Sequence, residues 1–376
     1  MSEEIIGFYD STNNYNIVEK NAVYLVEQLK ERGNQVMTFS CESSPLSKSM
    51  NERSVPVSKI DESRKYVNLV LSYRLSRALK KEHCKVLVIL RPHDLITAIM
   101  TKTLFCRKLR LVFFQQIKFK LRKNFLLYSL LFKPFDAWIV SMEHYQHQIT
   151  SISNFPPEKI FHIPPGIDID HYEKDTLSRS SARKILKLPH NINLIGVLGR
   201  HHIAHRQDFL IRAIQLLRKH RFNIDLLLMG TSKADDEKEY FNFLKELAVE
   251  CDVENYVHFR TYTEKEITFF KSIDIYAQIT MDGLNDNHLL KALSLEVPVI
   301  TFSSEDMDEI LEKGKYGMLY KNNDLQDFTA KITHLLTQPK IRDHLNAEAK
   351  RIIHDKYNLQ LRCEKFESVL NHISET

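Results

Sequence analysis

Glycine is scarce in this chain, with only nine among 376 residues, about a third of the usual share. Glycine is retained where the backbone must approach a neighbour closely or adopt a positive φ angle. Seven of the nine lie at or after residue 166. The few that remain therefore mark candidate sites of close approach, and the loops of the first half are predicted to be bulkier.

Long hydrophobic runs and paired cysteines are also missing. No stretch of 18 uncharged apolar residues occurs, so no membrane-spanning helix is expected. The first four residues include two glutamates and no basic residue, whereas a signal peptide begins with basic residues. The five cysteines are scattered and form no Cys-x-x-Cys pair, which favours reduced thiols over disulfides or zinc. These features predict a cytoplasmic protein without a metal site.

Positive charge is concentrated in one segment, although the net charge is only +5. Within residues 102–127, basic side chains alternate with Phe and Leu, a composition that suits an anionic membrane surface. The alternative is a solvated helix face beside a core strand. Nucleic acid is not expected as a partner, because no recognised binding module appears. The basic residues are Lys102, Arg107, Lys108, Arg110, Lys118, Lys120, Arg122 and Lys123.

Short apolar runs alternate with amphipathic stretches along the whole chain. This alternation predicts parallel strands joined by helical crossovers, the pattern of doubly wound α/β sheets. Residues 169–183 are polar and lack an apolar period, which places a domain boundary there. We therefore predict an α/β protein with a first Rossmann-like domain over 1–170, a second over 171–358 and a C-terminal helix over 359–376.

Four motifs follow one another in the second half: IPPGID at 163–168, IGVLGR at 195–200, LLLMG at 226–230 and ALSLEVPVI at 292–300. In order and spacing they resemble the retaining glycosyltransferases of family 4. The resemblance implies the GT-B fold, in which two Rossmann-like domains face each other across a cleft and the last helix returns to the first domain. It also implies a nucleotide-sugar donor and no metal or other cofactor.

The resemblance assigns donor-binding roles to residues at the ends of predicted strands. Arg200 occupies the position of the arginine that grips the donor diphosphate, and a guanidinium fork suits phosphate oxygens. His205 falls where the family has a lysine, and Arg206 could supply that charge instead. Gly230 leaves the backbone open to a nucleobase or ribose, and Tyr262 is expected near the nucleobase.

A loop at 281–288 corresponds to the part of the family site that holds the sugar. Gly283 and Lys291 fall where the family has its paired glutamates, so this chain is a divergent member lacking both carboxylates. Lysine only donates hydrogen bonds and cannot accept them from ribose hydroxyls, but it could pair with a phosphate. Asp282, one residue from the first position, could serve as the acid, while Leu284 and Asn285 complete the donor loop.

These assignments predict a bacterial hexosyltransferase acting on a glycan or lipid-linked acceptor. The catalytic candidates are Asp282 and His93, which follows a predicted strand of the first domain. Two alternatives remain open: a catalytically inactive partner subunit or sugar-binding module of the same fold, and a membrane scaffold built on residues 102–127. The predicted location is the cytoplasm, with contact to the inner face of the membrane.

Overall fold

The chain forms two compact units, Met1–Gly166 with Asn358–Thr376, and Ile167–Tyr357. The computed structural model describes residues 4–61, 68–118, 125–262, 266–279 and 287–375. The sequence places the boundaries at 170 and 358, a few residues later than the first division and one residue later than the second.

The first unit is built on a seven-stranded parallel sheet with strand order β3-β2-β1-β4-β5-β6-β7. Its five central strands are short apolar runs buried on both faces, as is typical of parallel sheets, whereas the edge strands β3 and β7 are mostly half-buried. In chain order the elements are β1 (Ile5–Asp10), α1 (Ile17–Glu31), β2 (Val36–Cys41), α2 (Pro45–Glu52), β3 (Val57–Ile60), α3 (Leu69–Lys81), β4 (Cys84–Ile89), α4 (Leu95–Met100), β5 (Arg110–Gln115), α5 (Phe125–Phe132), β6 (Ala137–Val140), α6 (His144–Ile152) and β7 (Ile160–His162).

The second unit repeats this scheme with a six-stranded parallel sheet in the order β10-β9-β8-β11-β12-β13. Its elements are α7 (Ile169–Glu173), α8 (Arg179–Ile185), β8 (Asn193–Leu198), α9 (Gln207–Lys219), β9 (Ile224–Gly230), α10 (Asp235–Glu250), β10 (Val257–Thr261), α11 (Glu266–Ser272), β11 (Ile275–Gln278), α12 (His288–Ser294), β12 (Val299–Phe302), α13 (Glu305–Ile310), β13 (Met318–Tyr320), α14 (Leu325–Thr337) and α15 (Pro339–Lys356).

The last helix, α16 (Leu359–Glu375), packs on the first unit, as the family resemblance implies. Phe366 is fully buried and stacks on Phe8 of β1, with ring centroids 6.0 Å apart. The same ring lies 5.7 Å from that of Phe114 in β5. The first domain is therefore completed by residues that follow the second domain in sequence, and the predicted fold class is confirmed.

Strand order fixes where ligands can bind in both units. In each sheet the order in which strands are added reverses between two neighbouring parallel strands. These are β1 and β4 in the first sheet and β8 and β11 in the second. Ligands of doubly wound sheets bind beyond the carboxyl ends of the strands at this switch point. Asp10 and Arg91 lie at that edge of the first sheet, and Arg200 lies at that edge of the second.

At most of the helix ends with a left-handed backbone, a residue with a side chain takes the place of glycine. Among the described residues, α1 is the one α-helix followed by a left-handed glycine, Gly33, with φ +88°. Seven other helices are followed by a left-handed residue that carries a side chain, with φ between 42° and 64°. These residues are Ser54, His83, Lys187, Arg221, Asp252, Glu296 and Glu312, after α2, α3, α8, α9, α10, α12 and α13.

Candidate nucleotide-sugar site

The ends of β8 and β9 approach each other more closely than side chains would allow. A Cβ atom on Gly230 would lie 1.9 Å from the carbonyl oxygen of Gly199. The backbone N–H of Gly199 donates to the Met229 carbonyl at 3.0 Å, and that of His201 donates to the Thr231 carbonyl at 3.0 Å. Bare backbone therefore forms the carboxyl edge of the second sheet at this point, as the two glycines predict.

Arg200 follows this turn, and its backbone is fixed while its side chain is open. Its carbonyl oxygen accepts from His205 Nδ1 at 2.9 Å and from Gln207 Nε2 at 2.9 Å. The guanidinium Nη1 donates to Glu237 Oε1 at 3.1 Å, yet 67% of the side chain remains exposed. Since a guanidinium carries five N–H donors, most of them are available to an anion.

The other two cationic candidates, His205 and Arg206, form hydrogen bonds with neighbouring protein groups. His205 supports the backbone of Arg200 through Nδ1, so its position is that of a turn stabiliser. Arg206 has a left-handed backbone, φ 50°, at the start of α9. Its Nη1 donates to Asn323 Oδ1 at 2.9 Å, and its Nε lies 3.5 Å from Asp208 Oδ1. Arg200 is therefore the most exposed of the three cationic candidates.

His201, which the sequence does not single out, lines the same edge. Its ring packs on Phe241, with centroids 4.8 Å apart, and its Nδ1 lies 2.9 Å from Ser232 Oγ. Burial lowers the pKa of His201 to about 4, so the imidazole is neutral at pH 7. Its Cε1 would lie 3.1 Å from a Cβ on Gly230. The basic character of this edge therefore comes from Arg200 rather than from His201.

Tyr262 is tied to the same edge at both ends. Its backbone N–H donates to the Gly230 carbonyl at 2.9 Å. Its hydroxyl donates to Glu266 Oε1 at 2.7 Å. The tyrosine thereby links the end of β9 to the first turn of α11.

Lys291 is engaged by a carboxylate that the sequence does not point to. Its Nζ donates to Glu266 Oε2 at 2.5 Å, and the residue is only 9% exposed. His288 Nε2 lies 3.6 Å from the other oxygen of Glu266. Burial alone would raise the pKa of Glu266, but His288 and Lys291 favour the charged form and hold it well below its usual range. The ammonium group of Lys291, which the sequence suggests could pair with a phosphate, thus forms a buried ion pair with Glu266.

The structure therefore connects most of the predicted donor residues. Arg200 contacts His205, and Gly199 lies between Arg200 and Gly230. Gly230 contacts Tyr262, which is linked to Lys291 through Glu266. The donor-loop candidates Asp282, Gly283, Leu284 and Asn285 lie outside the described residues. Asn287, at the end of that loop, precedes α12 with φ 57° and forms no side-chain cap.

A second cluster lies at the switch point of the first sheet, where three carboxylates are fully buried. Arg91 Nε donates to Glu19 Oε1 at 2.6 Å, and the same guanidinium lies 3.9 Å from Asp10 Oδ2. Asp94 Oδ2 accepts from the backbone N–H of Ser11 at 3.1 Å. Glu19 and Asp10 thus share one guanidinium, and Asp94 holds the loop that follows β1.

The pKa values of two buried carboxyl groups in this cluster, those of Asp10 and Asp94, are raised. Burial, with the neighbouring Asp94 and Glu19, raises the pKa of Asp10 to about 8. Burial likewise raises the pKa of Asp94 to about 6. His93, the predicted catalytic residue, is half-buried in the short turn Pro92–Asp94 next to them. The sequence points to His93, whereas the buried hydrogen bonds of this turn are made by Asp94.

The first domain is predicted to lose stability as pH rises from 6 to 8. The unfolded chain releases the Asp10 proton near pH 4, while the folded chain retains it up to about pH 8. Between those values the folded state binds more protons, so the free energy of unfolding falls with pH, by roughly 2 kcal/mol over this range. Urea unfolding at both pH values should show this slope, and Asp10→Asn should flatten it. The exposed Asp61→Asn is the control, and equal slopes for wild type and Asp10→Asn would contradict the assignment.

Comparison with known proteins finds a family match in the second domain. Residues 192–338 match the family described as Glycosyl transferases group 1. This match lies within the second domain, which is therefore similar in sequence to group 1 glycosyltransferases. The capsular polysaccharide biosynthesis glycosyltransferase CapM of Staphylococcus aureus is 24% identical over 260 residues, covering 66% of each chain. A GDP-mannose-dependent phosphatidylinositol monomannoside mannosyltransferase of Mycolicibacterium smegmatis is 24% identical over 57% of each chain. The matches span about half to two thirds of the curated relatives.

Solved structures show the same fold for the whole chain. A glycosyltransferase from Rickettsia africae has a TM-score of 0.86 at 13% identity, with full coverage of both chains. Anabaena HepE, solved in complex with UDP, has a TM-score of 0.84 at 14% identity, covering 98% of this chain and 100% of that one. The chain therefore has the GT-B fold, with its group 1 match in the domain that carries Arg200.

Proposed function

We propose that the protein is a glycosyltransferase that moves a hexose from a nucleoside diphosphate sugar to a glycan or lipid-linked acceptor. The observation that carries the proposal is the exposed guanidinium of Arg200 beside the bare backbone of Gly199 and Gly230. A diphosphate leaving group needs a fixed cation, and a nucleoside needs open backbone beside it. The donors named for similar proteins, UDP-glucose and GDP-mannose, are of this class.

The proposed roles follow from the contacts of each side chain. Arg200 neutralises the diphosphate, with Arg206 adding positive charge and His205 fixing the Arg200 backbone. Gly230 and Tyr262 lie beside the nucleoside. Lys291 acts through Glu266, because its ammonium is already paired.

The remaining roles rest on the family resemblance. Gly283, Leu284 and Asn285 hold the sugar, and Asp282 serves as the acid in place of the first family glutamate. His93 stands on the acceptor side in the first domain. The retaining outcome belongs to the same resemblance, and the anomeric configuration of the product, read by NMR, tests it.

The proposed setting is the cytoplasmic face of a bacterial membrane, with residues 102–127 as the contact. No metal or other cofactor enters the proposed reaction. Basic side chains interspersed with Phe and Leu support this location.

Arg200→Ala is expected to weaken the binding of UDP or GDP by about 10- to 100-fold, because a hydrogen bond to a charged group contributes about 1.5–3 kcal/mol. Isothermal titration calorimetry with each nucleotide measures the change. Arg212→Ala, an exposed arginine of α9 in the same domain, is the matched control and should bind as wild type. Equal affinities for Arg200→Ala and wild type would contradict the diphosphate role.

A second candidate function is a catalytically inactive partner subunit or sugar-binding module. The buried pairing of Lys291 with Glu266 favours it, since no carboxylate stands at position 291 to accept hydrogen bonds from a ribose. Transfer and donor-hydrolysis assays against a panel of nucleotide sugars separate the two. Transfer of any sugar supports the enzyme, whereas inactivity together with no calorimetric signal for UDP or GDP supports the second candidate.

A further inference from the structure

Helix α5 exposes a mainly apolar surface. Of its eight residues only Phe132 is buried, where its ring packs against Trp138 with centroids 4.7 Å apart. Leu126 is 81% exposed and Leu130 73%. Ser129 donates to the Phe125 carbonyl at 2.7 Å and accepts from the backbone of Asn154 at 2.8 Å, so its hydroxyl is already used.

The apolar surface continues beyond α5. A groove of about 680 Å³ runs between α5 and the segment of α4 with the π-helical turn Thr101–Phe105, lined by Ile99, Leu127 and Leu131 among others. Leu104 is exposed on that turn, and the ring of Phe105 meets Tyr73 of α3 at 5.5 Å. We call α5, the groove and this turn the α5 face. An exposed apolar area of this extent marks an interaction surface.

Cations surround the α5 face, and carboxylates are missing from it. The groove is lined by Lys102, Arg107 and Lys133 and by no acidic residue. Lys102 pairs with Asp136 at 2.6 Å, whereas Arg107 and Lys133 form no ion pair within the described residues. The sequence from 95 to 135 contains nine lysines and arginines and no aspartate or glutamate. The charge around this surface is therefore complementary to an anionic partner.

We propose that the α5 face docks on an anionic lipid bilayer. Exposed leucines and a phenylalanine enter the boundary between headgroups and acyl chains, and Arg107 and Lys133 contact the headgroups. A helix of eight residues is about 12 Å long, too short for the roughly 30 Å hydrocarbon core. Among the described residues no helix has the length and apolarity to cross a membrane. The contact is thus one that lies in the interface.

The proposal rests on the membrane location included in the proposed function and identifies the surface that makes the contact. It shifts the main contact from the basic residues to α5, which extends beyond residue 127. Vesicle binding is read without donor or acceptor, and nucleotide binding without vesicles. The docking surface and the glycosyltransferase assignment can therefore fail separately.

Sedimentation with phosphatidylglycerol–phosphatidylcholine vesicles tests the proposal. Wild type should bind in 0.1 M NaCl and bind much more weakly in 0.5 M, because salt screens the cations. Leu127→Glu/Leu130→Glu should weaken binding at least about tenfold, since it removes the inserted apolar groups and adds negative charge. The matched control is Ile185→Glu/Val249→Glu, two side chains of the second domain that are each 61% exposed. It should bind as wild type.

A second variant separates charge from apolar contact. Arg107→Ala/Lys133→Ala should weaken binding to anionic vesicles about tenfold and leave binding to pure phosphatidylcholine unchanged. All variants should retain wild-type affinity for UDP or GDP, which also shows that they fold. Vesicle binding that survives Leu127→Glu/Leu130→Glu would overturn the proposal. So would a wild-type dimer that ignores vesicles and that this variant dissociates, because the occupant would then be a second copy of the chain.

Discussion

Lys291→Glu is expected to destabilise the second domain by about 3–5 kcal/mol, the range measured when a buried ion pair is broken. Glu266 would then face a second carboxylate at a site where Lys291 is 9% exposed. The pKa of Glu266, now held down by Lys291 and His288, would rise. Hydrogen exchange of the α11 and α12 amides, with thermal unfolding of the full chain, measures the loss.

The matched variants identify the cause. Lys291→Met removes the charge without reversing it and should destabilise less than Lys291→Glu. The swap Glu266→Lys/Lys291→Glu should recover most of the loss, because it restores an ion pair of opposite polarity. Protection of α11 and α12 in Lys291→Glu equal to that in wild type would contradict the structural role of the pair. The single variant restores the residue that the family resemblance expects, yet it should be less stable, because the new carboxylate would lie beside Glu266.

Gly230→Ala is expected to cost about 3 kcal/mol or more, at the upper end of overpacking effects, and to abolish measurable UDP or GDP binding. The new Cβ would lie 1.9 Å from the Gly199 carbonyl oxygen. Both atoms belong to the backbone or are fixed to it, so relief requires β8 and β9 to separate at their carboxyl ends. Thermal unfolding and calorimetric titration report the two effects.

Gly33→Ala is the control for the backbone term alone. A Cβ there meets nothing within 4 Å, and only the positive φ of +88° opposes it. The expected cost is about 1 kcal/mol, with nucleotide binding unchanged. Similar losses for the two variants would contradict a collision between strands at position 230, where φ is not in the left-handed region.

Strongly apolar segments could be predicted from the sequence, and half-exposed edges could not. The strands at the centre of each sheet are continuous apolar runs, and their order along the chain predicts the doubly wound topology. The edge strand β3 has no such signal, because Ser58 and Lys59 interrupt its apolar pattern. Nor does the sequence indicate that the helical segment after β4 ends in a π-helical turn, at Thr101–Phe105.

The positions of site residues could be predicted where they depend only on the end of one strand. Arg200 could be placed because it comes just after a buried strand, and Gly230 because it ends one. The partner of Lys291 could not, since Glu266 lies 25 residues earlier and meets it only after α11 and α12 pack. The buried role of Asp94 had a usable signal: in the predicted sheet the ends of β1 and β4 are neighbours, so Asp10 and Asp94 should meet.

Seven helices end in a left-handed residue other than glycine, and these positions affect the stability of the protein without belonging to the proposed ligand site. Each side chain there costs roughly 1–2 kcal/mol relative to a relaxed backbone, and each lies on a connection at a helix terminus. Arg200 and Gly230 are not among them. Glycine at these helix ends should therefore raise the melting temperature without changing which ligand the protein binds.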